Sequence, residues 1–123
     1  MAHKHESLLD DMETYSGVEV SELLGAGEAG THFSAEELHY EGKIFAVKPH
    51  HEWRYPVFQF EDGKVRSIIA KILKIIPQDP MGWNVLHFFA TPNSVMGGER
   101  PMDELDNDEE VLLLAATRYR EEA

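Results

Sequence analysis

The stretch "KVRSIIAKILKII", residues 64–76, decides how the rest of the chain is read. Val65, Ile68, Ile69, Ile72, Leu73 and Ile76 recur at i, i+3, i+4, i+7, i+8 and i+11, the spacing that brings side chains to one face of an α-helix. Lys64, Arg66, Lys71 and Lys74 fall mostly on the opposite side. Burying each such aliphatic side chain stabilises by about 1.5–3 kcal/mol before conformational entropy is charged against it. A helix over about 64–76, with its isoleucine stripe inward, is therefore expected at the centre of the core.

Toward the N-terminus, "EDGK" (61–64) reads as a turn, and "KIFAVKPHHEWRYPVFQF" (43–60) as a β-hairpin. That segment is dense in aromatic and β-branched residues and is divided at "KPHHE". Pro56 has no N–H to give a ladder, so its strand should be an edge strand or carry a bulge. Before it, Ser34 and Glu37 have capping-box spacing and Gly42 stands where a helix needs a left-handed residue to stop, giving a two-turn helix in "SAEELHYEG". Earlier still, "ESLLDDMETY" reads as a short helix with Leu8, Leu9 and Met12 inward, stopped by Ser16-Gly17.

Toward the C-terminus three X-Pro pairs punctuate the chain: Asp79-Pro80, Thr91-Pro92 and Arg100-Pro101. Proline at the first helical position loses no hydrogen bond, and Asp or Thr before it can cap free amides. Each pair is expected to open a helix: one through "MGWNVLHFFA", one of a single turn ended by Gly97-Gly98, and one in "PMDEL". Asn107 and Glu110 form another capping-type pair ahead of "EEVLLLAATRYREE", where acids come first and Arg118 and Arg120 late, as the helix dipole prefers. The expected architecture is a single, mainly α domain over 1–123 with one β-hairpin. Residues 1–61 hold the N-terminal helices and the hairpin (about 43–60), and residues 62–123 a helical module of short helices around the central one.

The totals restrict function. A chain of 123 residues without cysteine can form neither disulfides, thiolate metal sites nor a thiol nucleophile. No apolar run is long enough to span a bilayer and the start of the chain lacks a signal-peptide core, so a soluble cytoplasmic protein is expected. The net charge of −12 argues against a surface built wholly for nucleic acid. Its distribution is uneven: residues 1–42 carry −9, residues 43–76 carry +4 and residues 77–123 carry −7. The basic waist leaves a nucleic-acid-associated regulator as an alternative, with Lys43, Lys48, Arg54, Lys64 and Lys71 as its contacts.

Other chemical signals are weak. "GAGEAG" (25–30) matches a dinucleotide fingerprint only formally, since the half-acidic "VEVSELL" precedes it and no long apolar helix comes after it. His3, His5, His50 and His51 have no acid spaced to complete a metal set, and His87 beside Phe88 and Phe89 reads as a partly buried packing residue. Asp10-Asp11, Glu36-Glu37 and Glu109-Glu110 sit where capping and solvation explain them, and no serine has a visible base. No enzyme activity, cofactor or metal is expected. The aromatic set Trp53, Tyr55, Phe58, Phe60, Trp83, Phe88 and Phe89 reads mostly as core, and any surplus as a binding surface or a homodimer contact.

One block is more specific by its order of elements. "FFATPNSVMGGERPMDEL" (88–105) resembles the toxin-binding domain of Xre/MbcA/ParS-type antitoxins. An apolar pair (Phe88, Phe89) is followed by Pro92-Asn93, by Met96 with Gly97 and Gly98, and by Pro101, Met102 and Leu105 opening an apolar-acidic helix before a last helix. The similarity runs over roughly residues 58–120. Upstream, "GEAGTHFSAEELHYEGKIFAVKPHHEWRYPVFQF" looks like a shortened form of the helix-turn-helix and hairpin that some relatives carry. It is acidic where a recognition helix would offer Arg, Lys, Asn or Gln to base edges, which argues against sequence-specific DNA binding. The resemblance implies a non-catalytic antitoxin that binds and blocks a RES-domain toxin acting on NAD. Its expected contacts are Phe89, Thr91, Pro92, Asn93, Met96, Gly97, Gly98, Pro101 and Leu105, with Arg118 and Arg120 on the last helix.

Overall fold

The structure is a computed structural model and describes residues 6–10, 12–25 and 34–122. His3, His5 and the part of "GAGEAG" beyond Gly25 lie outside the described residues. The chain is mainly helical with small antiparallel strand pairs, as expected.

The isoleucine stripe forms helix α3, Ser67–Ile75, with Ile68, Ile69, Ile72 and Leu73 buried and Ile76 buried just past its end. The helix starts three residues later than the periodicity suggests. Lys64–Val65 (β4) instead pairs with Phe60–Glu61 (β3) around Asp62-Gly63, both of which have positive φ. Asp-Gly is a pair that tolerates this twist, so "EDGK" closes the hairpin with a local ladder.

The run 43–60 makes less strand pairing with itself than its composition suggests. Val47 and Arg54 form a single antiparallel bridge. Beyond it Tyr55–Pro56 (β2) pairs with Thr14–Tyr15 (β1), placing Thr14 opposite Pro56. Buried Gln59 removes the remaining opportunity. Its carboxamide accepts from Phe45 N–H (2.9 Å) and donates to Phe45 C=O (2.9 Å) and Pro56 C=O (3.1 Å), occupying the groups a second strand would use.

Residues 44–47 run between two clusters, all four fully buried. Phe45 and Val47 enter the larger cluster, with α3, with Val85, Leu86, Phe88 and Phe89 of helix α4 (Trp83–Ala90), and with Leu112, Ala115 and Ala116 of helix α5 (Glu109–Glu122). Ile44 and Ala46 enter the smaller one, with Val20 of helix α1 (Gly17–Gly25), Ala35 of helix α2 (Ala35–Tyr40), Tyr55 and Phe60. Alternation along an extended backbone sends successive side chains to opposite sides, so one segment serves both cores.

Several starts differ from the sequence reading. Ser16 begins a helix where a stop was expected: Ser16 N–H donates to the Glu19 carboxylate (2.8 Å) and Glu19 N–H to Ser16 Oγ (3.2 Å), a reciprocal capping box opening α1. Among the described residues before it are the 3-10 turn Glu6–Leu9 and β1, and Leu8, Leu9 and Met12 pack against the larger core. This turn packs on α4, so part of the N-terminal half shares the larger core with the helical module. Asp79-Pro80 does not open α4 directly. Asp79 accepts from Met81 N–H (3.0 Å) and Asn84 N–H (3.3 Å), and Gly82 at φ 77° precedes the helix. Asp108 rather than Asn107 meets the start of α5, accepting from Glu110 N–H at 2.9 Å. The Ser34 to Glu37 cap (3.4 Å) and the left-handed Gly42 stand as expected. No helix among the described residues is long and apolar enough to cross a membrane.

Candidate functional site

The connection 91–101 is a closed, internally bonded loop between α4 and α5. Thr91 does not cap the next turn; its Oγ1 donates back to His87 C=O (2.7 Å) and completes the last turn of α4. Asn93 is the cap instead, accepting from Val95 N–H at 2.9 Å ahead of the 3-10 turn Ser94–Met96. Its backbone closes the loop: Asn93 C=O accepts from Met96 (3.0 Å) and Gly98 (2.9 Å), and Asn93 N–H donates to Glu99 C=O (3.1 Å). Gly97 and Gly98 both have positive φ, 69° and 88°, which glycine adopts without steric cost. Arg100 then forms a bidentate pair with Asp103 (2.7 and 3.1 Å) as Pro101 opens the 3-10 turn Pro101–Asp103.

The loop stands on the core by its apolar side chains. Val95, Met96, Met102 and Leu105 are partly buried against the larger cluster. The first 3-10 turn packs on α5 and the second on α4. Two expected contact residues lie beneath the surface. Phe89 is fully buried, stacked on Phe45 at 5.5 Å and against Phe58 at 5.0 Å, and Pro101 is buried under the second turn. These two support the loop and present nothing to a partner. Pro92, Gly97 and Gly98 are exposed, while Thr91, Asn93, Met96 and Leu105 are partly so.

Arg118 and Arg120 are both exposed on α5. At about 100° per residue they leave the helix about 200° apart, so they flank its buried stripe on opposite sides and cannot face one flat surface together. Tyr119 lies between them and turns inward: its hydroxyl donates to Asn84 C=O (3.3 Å) and lies 3.0 Å from His87 Nδ1. Burial, and then the charge of Asp79, push this hydroxyl above the ordinary tyrosine value. His87 is exposed against the Tyr119 ring rather than packed within the core.

The basic waist makes mostly exposed surface pairs, with Arg54 the one of its five candidate residues tied firmly into the fold. Lys43 lies 3.4 Å from Glu41, Lys71 2.8 Å from Glu109, and Lys48 holds its ammonium 5.1 Å from the centre of the Trp53 ring. Arg54 binds Thr14 through Oγ1 (3.0 Å) and C=O (3.1 Å) as well as Glu52 (3.5 Å). Lys64 has no ion-pair partner among the described residues. Among those residues no three His, Asp or Glu side chains gather as a metal site.

What the sequence reading missed is the backbone closure of the loop on itself, from Asn93 N–H to Glu99 C=O. The P-N and G-G dipeptides were the available signal for it. Comparison with protein-family models, with curated proteins and with solved structures finds no match to this chain.

Proposed function

We propose that this chain is a non-catalytic, antitoxin-like protein that binds a RES-domain, NAD-targeting toxin and neutralises it by occluding the toxin. The observation that carries the reading is the 91–101 loop. It combines the order of elements of the toxin-binding domain with a backbone closed on itself through Asn93 and exposed at Pro92, Gly97 and Gly98. A loop pre-set in one shape loses little entropy on binding, which favours tight occlusion by a small surface. Arg118 is the flanking side chain assigned to contact, and Arg120, on the other side of α5, is assigned a second edge.

The alternative, a nucleic-acid-associated regulator, has less support. Arg54 is held by Thr14, and Lys43 and Lys71 each lie beside an acid on a chain of net charge −12, which opposes phosphate at the same surface. Phosphate binding would also weaken steeply with salt, whereas an interface with an apolar centre weakens little.

Co-expression with RES-family toxins tests the proposal, scored by growth rescue and co-purification. Wild type is expected to rescue and to form a complex that survives added salt. Arg118→Ala, at an exposed position, should weaken the complex about tenfold at unchanged stability, and Asn93→Ala should do so by loosening the loop. Failure to rescue or bind any cognate toxin overturns the reading. A homodimer is expected for the free chain, with Val18, Tyr40, Met81 and Leu114 as its exposed large apolar side chains, and light scattering measures it.

A further inference from the structure

The outer face of α5 carries an order of side chains that is its own complement when reversed. Glu110, Leu114, Thr117, Arg118 and Glu121 are all exposed. At about 100° per residue they share the side of the helix opposite buried Leu112, Ala115 and Ala116. Helix α3 and the 3-10 turn Ser94–Met96 pack on α5, yet neither covers this face. Leu114, 47% exposed, is the large apolar side chain that α5 leaves to solvent. Val111, three residues before it, is partly buried. Thr117, three residues after it, spends its hydroxyl on Leu113 C=O (2.9 Å), which leaves its methyl group for the surface.

The charges on either side of Leu114 have opposite sign. Glu110 stands four residues before it and Arg118 four after, and neither is in an ion pair among the described residues. They lie about 12 Å apart along the helix axis, too far to pair with each other in one chain. Rows of residues four apart form the ridges through which helices most often pack, and this row reads acid, leucine, base. A two-fold axis through Leu114 turns the row onto itself. The two leucines then meet, each Glu110 faces the partner's Arg118, and each Val111 meets the partner's Thr117. Such rows cross at about −50°, so the helix ends diverge and Glu121 and Glu122 stay clear of the partner's Asp106 and Asp108. Val18, Tyr40 and Met81, the other exposed large apolar side chains, have no acid and base placed symmetrically about them. The symmetric order singles out a second copy of this chain as the occupant.

We propose that the free chain pairs with a second copy of itself through this face, α5 crossing α5 antiparallel at Leu114, with two reciprocal Glu110–Arg118 ion pairs at its edges. This places the homodimer expected above on one helix. The contact is confined to about two turns of each helix, below the size of a standard interface, so the association is weak and depends on concentration. Arg118 is also the side chain assigned to a toxin, so pairing and that contact exclude each other. The pairing itself does not rest on the toxin reading.

The test is sedimentation equilibrium of the full chain from about 5 μM to about 500 μM, the range in which a weak interface dissociates. Wild type should rise from 14.0 kDa toward twice that mass. Leu114→Glu should weaken the association at least about tenfold, and so should Glu110→Arg and Arg118→Glu, each of which sets like charges against one another. Mixing these two charge variants in equal amounts should restore a dimer, because every arginine of one then faces a glutamate of the other. A variant that had lost its fold would not be rescued in this way, and circular dichroism checks each alone. Val18→Glu, on a different helix, should change the association less than about twofold. A chain that stays monomeric throughout overturns the proposal. So does a dimer indifferent to Leu114→Glu, or a mixture that associates no more tightly than its two components.

Discussion

Gln59 pairs with Phe45 as a neighbouring strand would, its carboxamide accepting from Phe45 N–H and donating to Phe45 C=O, both at 2.9 Å. Because Phe45 and Val47 enter one core and Ile44 and Ala46 the other, this side chain fixes the segment that joins them. Gln59→Leu keeps a similar volume but removes the partner of three backbone groups, Phe45 N–H, Phe45 C=O and Pro56 C=O. The cost is expected to be at least about 3 kcal/mol, from about 1–3 kcal/mol for each unsatisfied group. Urea unfolding measures it, and a loss below about 1 kcal/mol would show that water or a shifted backbone replaces the carboxamide.

Gly82 joins α4 to the same segment. It has φ 77°, and a Cβ there would fall 1.8 Å from Ala46 C=O oxygen. Gly82→Ala therefore combines a disfavoured conformation with a backbone clash, and should cost at least about 2–3 kcal/mol. Thermal unfolding is the measurement. Gly97→Ala is the comparison: its φ is also positive, yet nothing lies within 4 Å of the added methyl, so the smaller penalty is expected there.

Arg66 connects three segments. Its Nε donates to Phe58 C=O (2.9 Å), Nη1 to Asp106 (2.7 Å), and Nη2 lies 3.4 Å from Glu61. A lysine ammonium keeps the charge but not the planar fork, so Arg66→Lys should lose about 1–2 kcal/mol in denaturant unfolding. A loss indistinguishable from zero would mean that the fork geometry contributes nothing beyond charge.

His39 makes stability depend on pH. Its ring stacks edge-on against Trp53 at 4.7 Å and its Nε2 lies 3.2 Å from Gln78 Oε1. Burial holds it below the ordinary value of 6.5, and the Gln78 contact only partly opposes this. The folded state thus favours the neutral ring. Its contribution is fully present above about 6.5 and is lost as pH falls from there through the lower folded value, because the unfolded chain takes the proton first. Unfolding at about pH 7.5 and about pH 5 should show a larger loss for wild type than for His39→Phe, which keeps the aromatic contact. Identical losses in the two proteins would place the pH dependence elsewhere.

The sequence by itself determined the features that short-range physics controls. The isoleucine stripe of α3, the Ser34 cap, the Asp62-Gly63 turn and the left-handed Gly97-Gly98 stop depend on periodicity and on backbone angles local to a few residues. Mainly helical architecture with a hairpin was legible for that reason. The order of short elements across 88–105 was legible in the same way. Only the tertiary structure decided which partner each segment met. Tyr55–Pro56 pairs with Thr14–Tyr15 across about forty residues, Gln59 takes the backbone of Phe45, and Lys71 and Arg66 reach acids near the start of α5. Strand-like composition in 43–60 is compatible with several partners, and burial chooses among them. The candidate site divides along the same line: the exposed turn at Pro92 and Gly97-Gly98 comes from its own residues, whereas Phe89 and Pro101 are buried because α4 and the loop cover them.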